Sequence, residues 1–283
     1  MIIDLHTHSS VSDGTDAPAA LVAKAAREGL DVLALTDHDT FAGLAEAQQA
    51  AERHGVQLVP GIEMSTQHEG RSVHLLGYGA RTDDPALTAE LVRVRAGRED
   101  RLTPLLQRLA ELGLPLSEEQ VRVHVGASPS VGRPHVADAM VAAGYVANRA
   151  EAFDRYLADG GPAHVPRYAT PLRKGIRLIR AAGGVTVVAH PWGRDREWLL
   201  PEPLWPELVE AGLDGIEVDH YDHGPEQRRR LRALAGRTGL LPTGSSDHHG
   251  LGKVDHELAS NTTAPEVLAE IRARLAARRS PAG

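Results

Sequence analysis

Within the opening stretch MIIDLHTHSSVSDGT, His6 and His8 stand two apart and Asp13 follows in a Ser-Asp-Gly turn. Residues two apart on an extended strand point to one face, so these imidazoles project together and can share a cation. Other strand-like segments end in the same chemistry: ALTDHD in Asp37, His38 and Asp39, TVVAHP in His190, and PTGSSDHHG in Asp247, His248 and His249. Asp247 and His249 repeat the spacing of the first pair. Glu63 closes VQLVPGIE, and His74 lies within RSVHLLGY. A lone histidine at a strand end is ordinarily solvated or hydrogen-bonded. Paired imidazoles and carboxylates at successive strand ends instead predict binding of divalent cations. The chain has no cysteine, so any metal must be held by His, Asp and Glu.

These side chains are spread over the whole sequence, so the fold must gather them. The pattern is one of strand and helix in alternation. A strand begins at Ile2, a helix follows with Asp16 as N-cap and Pro18 in its first turn, and Val32 to Leu35 reads as a buried parallel strand. FAGLAEAQQAAERHG is a helix closed by Gly55. From Asp83 the periodicity becomes helical only, with helices expected at residues 86–112, 117–125, 133–144 and 149–158. After Gly160-Gly161 the alternation resumes, with TPLRKGIRLIRAAGG as a helix capped by Thr170, then strands VTVVAH, GIEVDH and LLPTGSSDHH. An Ala/Arg-rich tail ends the chain and is expected to fray. About seven parallel strands suggest an α/β barrel or an open doubly wound sheet, and in both the carboxyl ends of the strands surround one shared site. The expected division is residues 1–82 and 165–283 as two parts of one barrel, and 83–164 as a helical insertion closing over the site.

Composition agrees with a folded enzyme-sized chain: 283 residues, 42% hydrophobic and 24% charged. With 4% aromatics, Leu, Val and Ala must fill the core. A formal net charge of −7 argues against extended binding along a nucleic-acid backbone. No apolar run is long enough to cross a bilayer, and Asp4, His6 and His8 interrupt the first segment where a signal peptide needs apolar residues, so a cytoplasmic protein without membrane contact is expected.

In order, DLHTHSSVSDGT, ALTDHDT, PGIE, HLLGY, VVAHP and GSSDHHG resemble the motif series of the PHP (polymerase and histidinol phosphatase) phosphoesterases. That resemblance implies a distorted (β/α)7 barrel with up to three divalent ions, Mn2+ first, with Fe2+, Zn2+ or Mg2+ as alternatives. By the same resemblance His6, His8, Glu63 and Asp247 would hold one ion, Asp13, His38 and His249 a second, and Glu63, His74 and His190 a third. The insertion resembles that of the nucleotide-acting branch, in which an Arg-Pro-His element closes over phosphate; here it is Arg133, Pro134 and His135. That branch includes 3',5'-nucleoside bisphosphate phosphatases, AMP phosphatases and a 5'-to-3' exoribonuclease of short RNA. One departure is His248, where the family usually carries an aromatic residue.

The expected reaction is hydrolysis of a phosphate ester on a small nucleotide or short RNA by a metal-activated hydroxide. Asp13, His38, Arg133 and His135 are the expected catalytic groups, and the same four with Arg98 the expected substrate contacts. Arg133 is the first choice as phosphate clamp because its fork binds two oxygens at once, and His135 the second. Arg95, Arg98 and Arg101 fall along one helix face, where at least two are expected to be solvated. His54, His68, His124 and His256 read as surface residues; His164, Arg167, His220 and His223 lie on the functional side. There is no Walker loop, G-x-S-x-G elbow or dinucleotide fingerprint. The competing readings are a histidinol-phosphatase-like enzyme, a non-catalytic metal-bound module, and a carbon-nitrogen hydrolase, which typically wants a metal-bridging lysine absent from these strand ends.

Overall fold

A computed structural model describes residues 1–279. Its elements run β1 (Ile3–Thr7), α1 (Pro18–Arg27), β2 (Val32–Leu35), α2 (Leu44–His54), β3 (Gln57–His68), β4 (Arg71–Tyr78), α3 (Pro85–Glu111), α4 (Glu118–Arg122), α5 (Arg133–Ala142) and α6 (Arg149–Ala152). A π-turn at Phe153–Leu157 follows, then β5 (Thr170–Pro171), α7 (Leu172–Ala181), β6 (Val185–Val188), α8 (Trp205–Glu210), β7 (Gly215–Asp219), α9 (Pro225–Thr238), β8 (Leu241–Gly244) and α10 (Pro265–Arg279).

The strands lie in the order β1-β2-β3-β4-β6-β7-β8, with β5 beside β3. A bridge from Thr7 to His248 and a bond from the His8 N–H to the His248 carbonyl (2.8 Å) bring the two ends of the sheet together into a nearly closed, distorted (β/α)7 barrel. The sheet is mixed, which corrects the expectation of parallel strands only. β4 runs antiparallel to both β3 and β6. The cause is a hairpin: β3 pairs with β4 through His68 and Arg71, leaving Glu69 and Gly70, both at positive φ, as a two-residue turn. Glu63 therefore sits inside a long strand rather than at its end.

Three local expectations also change. Ala17, not Asp16, precedes α1 and no side chain caps it; Pro18 at the first turn gives up an N–H that needed no partner. Thr170 and Pro171 are paired with β3, and the Thr170 hydroxyl donates to Glu90 (2.8 Å), so Pro171 takes the cap position of α7. The tail is helical as far as Arg279, and the part of the expected fraying beyond it lies outside the described residues: in α10, Val267, Leu268 and Ile271 are buried in one cluster with Ile3, Leu5, Val185, Val187 and Leu241. A separate apolar cluster joins α3, α4 and α5 through Leu102, Leu105, Leu109, Val121, Val136 and Met140. That cluster gives the helical insertion its own core, so it can hold Arg133 and His135 rigidly against the barrel.

Candidate metal centre

β1 supplies His6, the segment after it His8 and Asp13, the segment after β2 His38, β3 Glu63, β4 His74, the segment after β6 His190, and the segment after β8 Asp247 and His249. All meet at one end of the barrel. The Nε2 atoms of His6 and His8 face each other at 3.1 Å. They lie 3.2 and 3.0 Å from Glu63 Oε2, and 3.3 and 3.4 Å from Asp247 Oδ1. Donors about 2.1 Å from one ion would stand about 3.0 Å apart at right angles and about 3.4 Å apart in a tetrahedron. The observed separations match that window.

Around Asp13 the pattern repeats. His249 Nε2 is 3.3 Å from Asp13 Oδ1, His8 Nδ1 is 3.8 Å from the same oxygen, and His38 Nε2 is 3.6 Å from Oδ2. On the other side, Glu63 Oε1 lies 2.9 Å from His74 Nδ1 and 3.4 Å from His190 Nε2, while His38 Nδ1 lies 3.2 Å from Oε2. His38 thus adjoins the third group as well as the second. Glu63 touches both neighbouring groups, as a bridging carboxylate must.

The donor chemistry fits divalent cations. Asp13 Oδ1, His38 Nδ1 and Glu63 Oε1 are buried without a hydrogen-bond partner, an expensive state unless a cation satisfies them. Burial opposes charge at every one of these groups, yet the His38 and His249 imidazoles hold Asp13 well below the usual carboxylate range, and His38, His74 and His6 do the same for Glu63. Burial would lower His8, but its bonds to Asp247 and Glu63 bring it up to about 9; burial takes His38 down to about 3. Such opposed shifts mark a site built for concentrated charge.

Supporting carboxylates orient the donors, and these roles were missed in the sequence. Glu217 on β7 takes a bond from His6 Nδ1 (3.2 Å) and from the His190 N–H (2.7 Å), and it also pairs with the Ser245 hydroxyl. Asp37 accepts from the Ser9 and Ser12 hydroxyls, both at 2.6 Å, and shapes the turn that carries Asp13. His249 Nδ1 donates to the Asp247 carbonyl (2.8 Å), leaving Nε2 directed at Asp13. His220 Nε2 reaches Asp247 Oδ2 (3.4 Å), and Lys253 pairs with the same oxygen. His190, Asp39 and Asp247 all hold positive φ, backbone strain placed at the site.

The insertion faces this centre. His135 Nε2 donates to the Ser12 carbonyl (2.9 Å), and its Nδ1 accepts from the Gly132 N–H (3.0 Å). Arg133 bonds the Leu157 carbonyl (2.8 Å) and Asp159 (2.7 Å). Arg98 is buried against Asp39 (2.6 Å) and the Ser65 hydroxyl (2.8 Å), and Arg95 reaches the Asp39 carbonyl (2.7 Å). The arginine face of α3 is thus turned inward, against the expectation that two would be solvated. His256 is also buried, donating to the Ser246 carbonyl (2.7 Å), and His248 Nδ1 donates to the His256 carbonyl (2.6 Å). His256 is therefore not a surface residue.

A barrel end lined in this way defines a metal-dependent phosphoesterase. The PHP domain matches residues 4–115, and the chain belongs to the PHP family. It is 36% identical to a 5'-3' exoribonuclease of Haemophilus influenzae over 87% of this chain and 89% of the relative. It is 38% identical to a phosphoribosyl 1,2-cyclic phosphate 1,2-diphosphodiesterase of Eggerthella lenta, over 90% and 97%, and 33% identical to a 3',5'-nucleoside bisphosphate phosphatase of Chromobacterium violaceum, over 98% and 97%. A solved structure from Bifidobacterium adolescentis superposes with a TM-score of 0.91 at 36% identity and 96% coverage of each chain.

Proposed function

We propose that this protein hydrolyses phosphate esters of small nucleotides, and of short RNA carrying a 5'-phosphate, with up to three divalent ions, Mn2+ before the alternatives. The observation that carries the reading is the convergence of His6, His8, Glu63 and Asp247 at 3.0 to 3.4 Å beside an Arg-Pro-His helix start. The ions supply water acidified toward a pKa of about 7 and neutralise charge on the phosphoryl oxygens. The protein supplies the rest. Asp13, Glu63 and Asp247 bring buried negative charge that would fix the ions, and the His8 ring stacks on His249 and tilts against His38.

Arg133 begins α5, where unpaired N–H groups favour an anion, and Asp159 braces one side of its fork. It is the proposed clamp for phosphate oxygens. His135 holds the Ser12-Asp13 turn in place through its Nε2–H and so fixes the carboxylate nearest the incoming phosphate. The nucleotide reading draws on the relatives from H. influenzae and C. violaceum. The test is a turnover screen of metal-reconstituted protein on AMP, adenosine 3',5'-bisphosphate, a short 5'-phosphorylated RNA, a phosphoribosyl cyclic phosphate and histidinol phosphate. Release of phosphate or mononucleotide from the nucleotide substrates, lost in Asp13→Ala, is expected. Turnover of histidinol phosphate alone would overturn the reading.

A further inference from the structure

The turn that carries Asp13 is held from outside the barrel. Within the turn, the Ser12 and Gly14 N–H groups both donate to the Ser9 carbonyl (3.0 Å each). Its Ser12 and Asp13 carbonyls are taken by the helical insertion. His135 donates to the first, and Arg149 Nη1 donates to the second (2.9 Å). Arg149 opens α6, whose start is fixed by the Asn148 side chain accepting from the Glu151 N–H (2.9 Å). The Nε and Nη2 groups of Arg149 both donate to Asp138 on α5, at 2.6 Å each. The guanidinium is thus committed on every side, twice within the insertion and once across to the barrel.

The same group lies against the segment that follows His249. A Cβ at Gly252 would run into Arg149 Nη1. That segment is also tied to the Asp13 turn, since the Thr15 N–H donates to the His249 carbonyl (3.1 Å) and the Thr15 hydroxyl accepts from the Leu251 N–H (2.9 Å). One arginine therefore touches both loops whose donors, Asp13 Oδ1 and His249 Nε2, stand 3.3 Å apart. Joining α5 to α6 does not need the pair with Asp138, because Val136, Met140 and Ala152 of those helices are already buried in the apolar cluster of the insertion. A fork braced by a carboxylate keeps its remaining N–H in a fixed direction, and its charge strengthens the bond to the carbonyl.

We propose that Arg149, braced by Asp138, is a positioning residue for the ion of Asp13, His38 and His249, so that the insertion, which supplies no donor, sets the occupancy of one ion position. This rests on the metal-dependent reading and not on the choice of substrate. The group of His6, His8, Glu63 and Asp247 is braced instead by Glu217, His220 and Lys253, so the effect is local.

The test counts ions. Chelator-stripped protein is dialysed against graded free Mn2+, and the metal retained per chain is measured for the parent, Arg149→Met, Arg149→Lys, Asp138→Asn, His249→Ala and the Arg149→Met/His249→Ala double variant. Arg149→Met keeps the stem and removes the fork. It is expected to need about 10- to 100-fold more free Mn2+ to fill one ion per chain, with the others filling as in the parent. The double variant is expected to retain as many ions as His249→Ala alone, which identifies the weakened ion. Arg149→Lys keeps the charge but cannot hold Asp138 and the Asp13 carbonyl at once, and is expected to show the same weakening. Parent-like filling in Arg149→Met, equal weakening of every ion, recovery in Arg149→Lys, or a further ion lost from the double variant would overturn the proposal. If Arg149→Met does not fold, Asp138→Asn, which leaves the arginine without its brace, decides by the same count. A loaded parent that turns over no nucleotide would remove the nucleotide reading and leave this inference standing, whereas a parent that retains no Mn2+ would remove both.

Discussion

At the scale of single residues, the candidate metal donors are held by groups outside the donor set. Glu217 takes the Nδ1 proton of His6 and so directs the Nε2 lone pair at the shared position. Glu217→Gln keeps the volume and removes the charge; outer carboxylates of this kind are worth about 10- to 100-fold in metal affinity. A titration of metal into the chelator-stripped variant is expected to show that loss, and an affinity within twofold of the parent would dismiss the role. His248 gives a contrasting case. Its ring accepts from Lys24 (3.1 Å) and donates to the His256 carbonyl (2.6 Å), a link phenylalanine at this position cannot make. His248→Phe is expected to cost about 1 to 3 kcal/mol in urea unfolding through unpaired polar groups, with metal affinity kept; an unchanged midpoint would mean that the link contributes nothing. Of the candidate donors, His6, His8, Asp247 and His249 stood out as His-x-His and Asp-x-His pairs, whereas the grouping of Glu63, His74 and His190 was implied by the family resemblance alone. Glu217 was not legible, because a glutamate within GIEVD has no distinguishing neighbour and its partner lies far away in the chain.

The elements matter through where they let the donors stand. At the end of β8, just before the segment that carries Asp247, Gly244 lets the Thr262 segment and β7 pack closely: a Cβ there would lie 2.4 Å from the Thr262 carbonyl oxygen and 2.8 Å from the Asp219 Cβ. Neither neighbour can withdraw easily, since one is backbone and the other is held in β7. Gly244→Ala is expected to destabilise the protein by about 1 to 3 kcal/mol and to weaken metal binding with it, read from denaturant midpoints and metal titration in parallel. Parent-like values for both would show that the segment tolerates displacement. The strand and helix alternation, and the helices between residues 85 and 152, were readable from apolar spacing. The direction of β4 was not, because periodicity gives an element's type but not its sense. Glu69-Gly70 was the only cue, a turn inside a polar stretch that also reads as a loop. Thr170 misled for a related reason: Thr followed by Pro suits a helix start, but the tertiary partners Glu90 and β3 claimed the residue.

For the whole molecule, the decisive fact is that one candidate ion position is lined from both the first strand and the segment after the last. Between β1 and the chain beyond β8 the backbone contributes little: a bridge at Thr7 and His248, with further bonds such as that from Thr263 to Ile3 (3.0 Å). His6 and His8 on one side and Asp247 on the other would be joined far more strongly by a cation than by this seam. Metal bound there would fasten the barrel, because the unfolded chain cannot assemble the same donors. With free metal about a thousandfold above the dissociation constant, the linkage is worth about 4 kcal/mol, on the order of 10 °C in the thermal midpoint for a chain of this size. Chelation is expected to lower the midpoint by that amount, with hydrogen exchange rising first in β1 and around residues 244–249, and restored metal to reverse both. An insertion with its own apolar cluster should change less, since none of the nine donors comes from α3 to α6. Equal midpoints with and without chelator, or exchange rising uniformly, would show that the two ends of the barrel hold together without the ion.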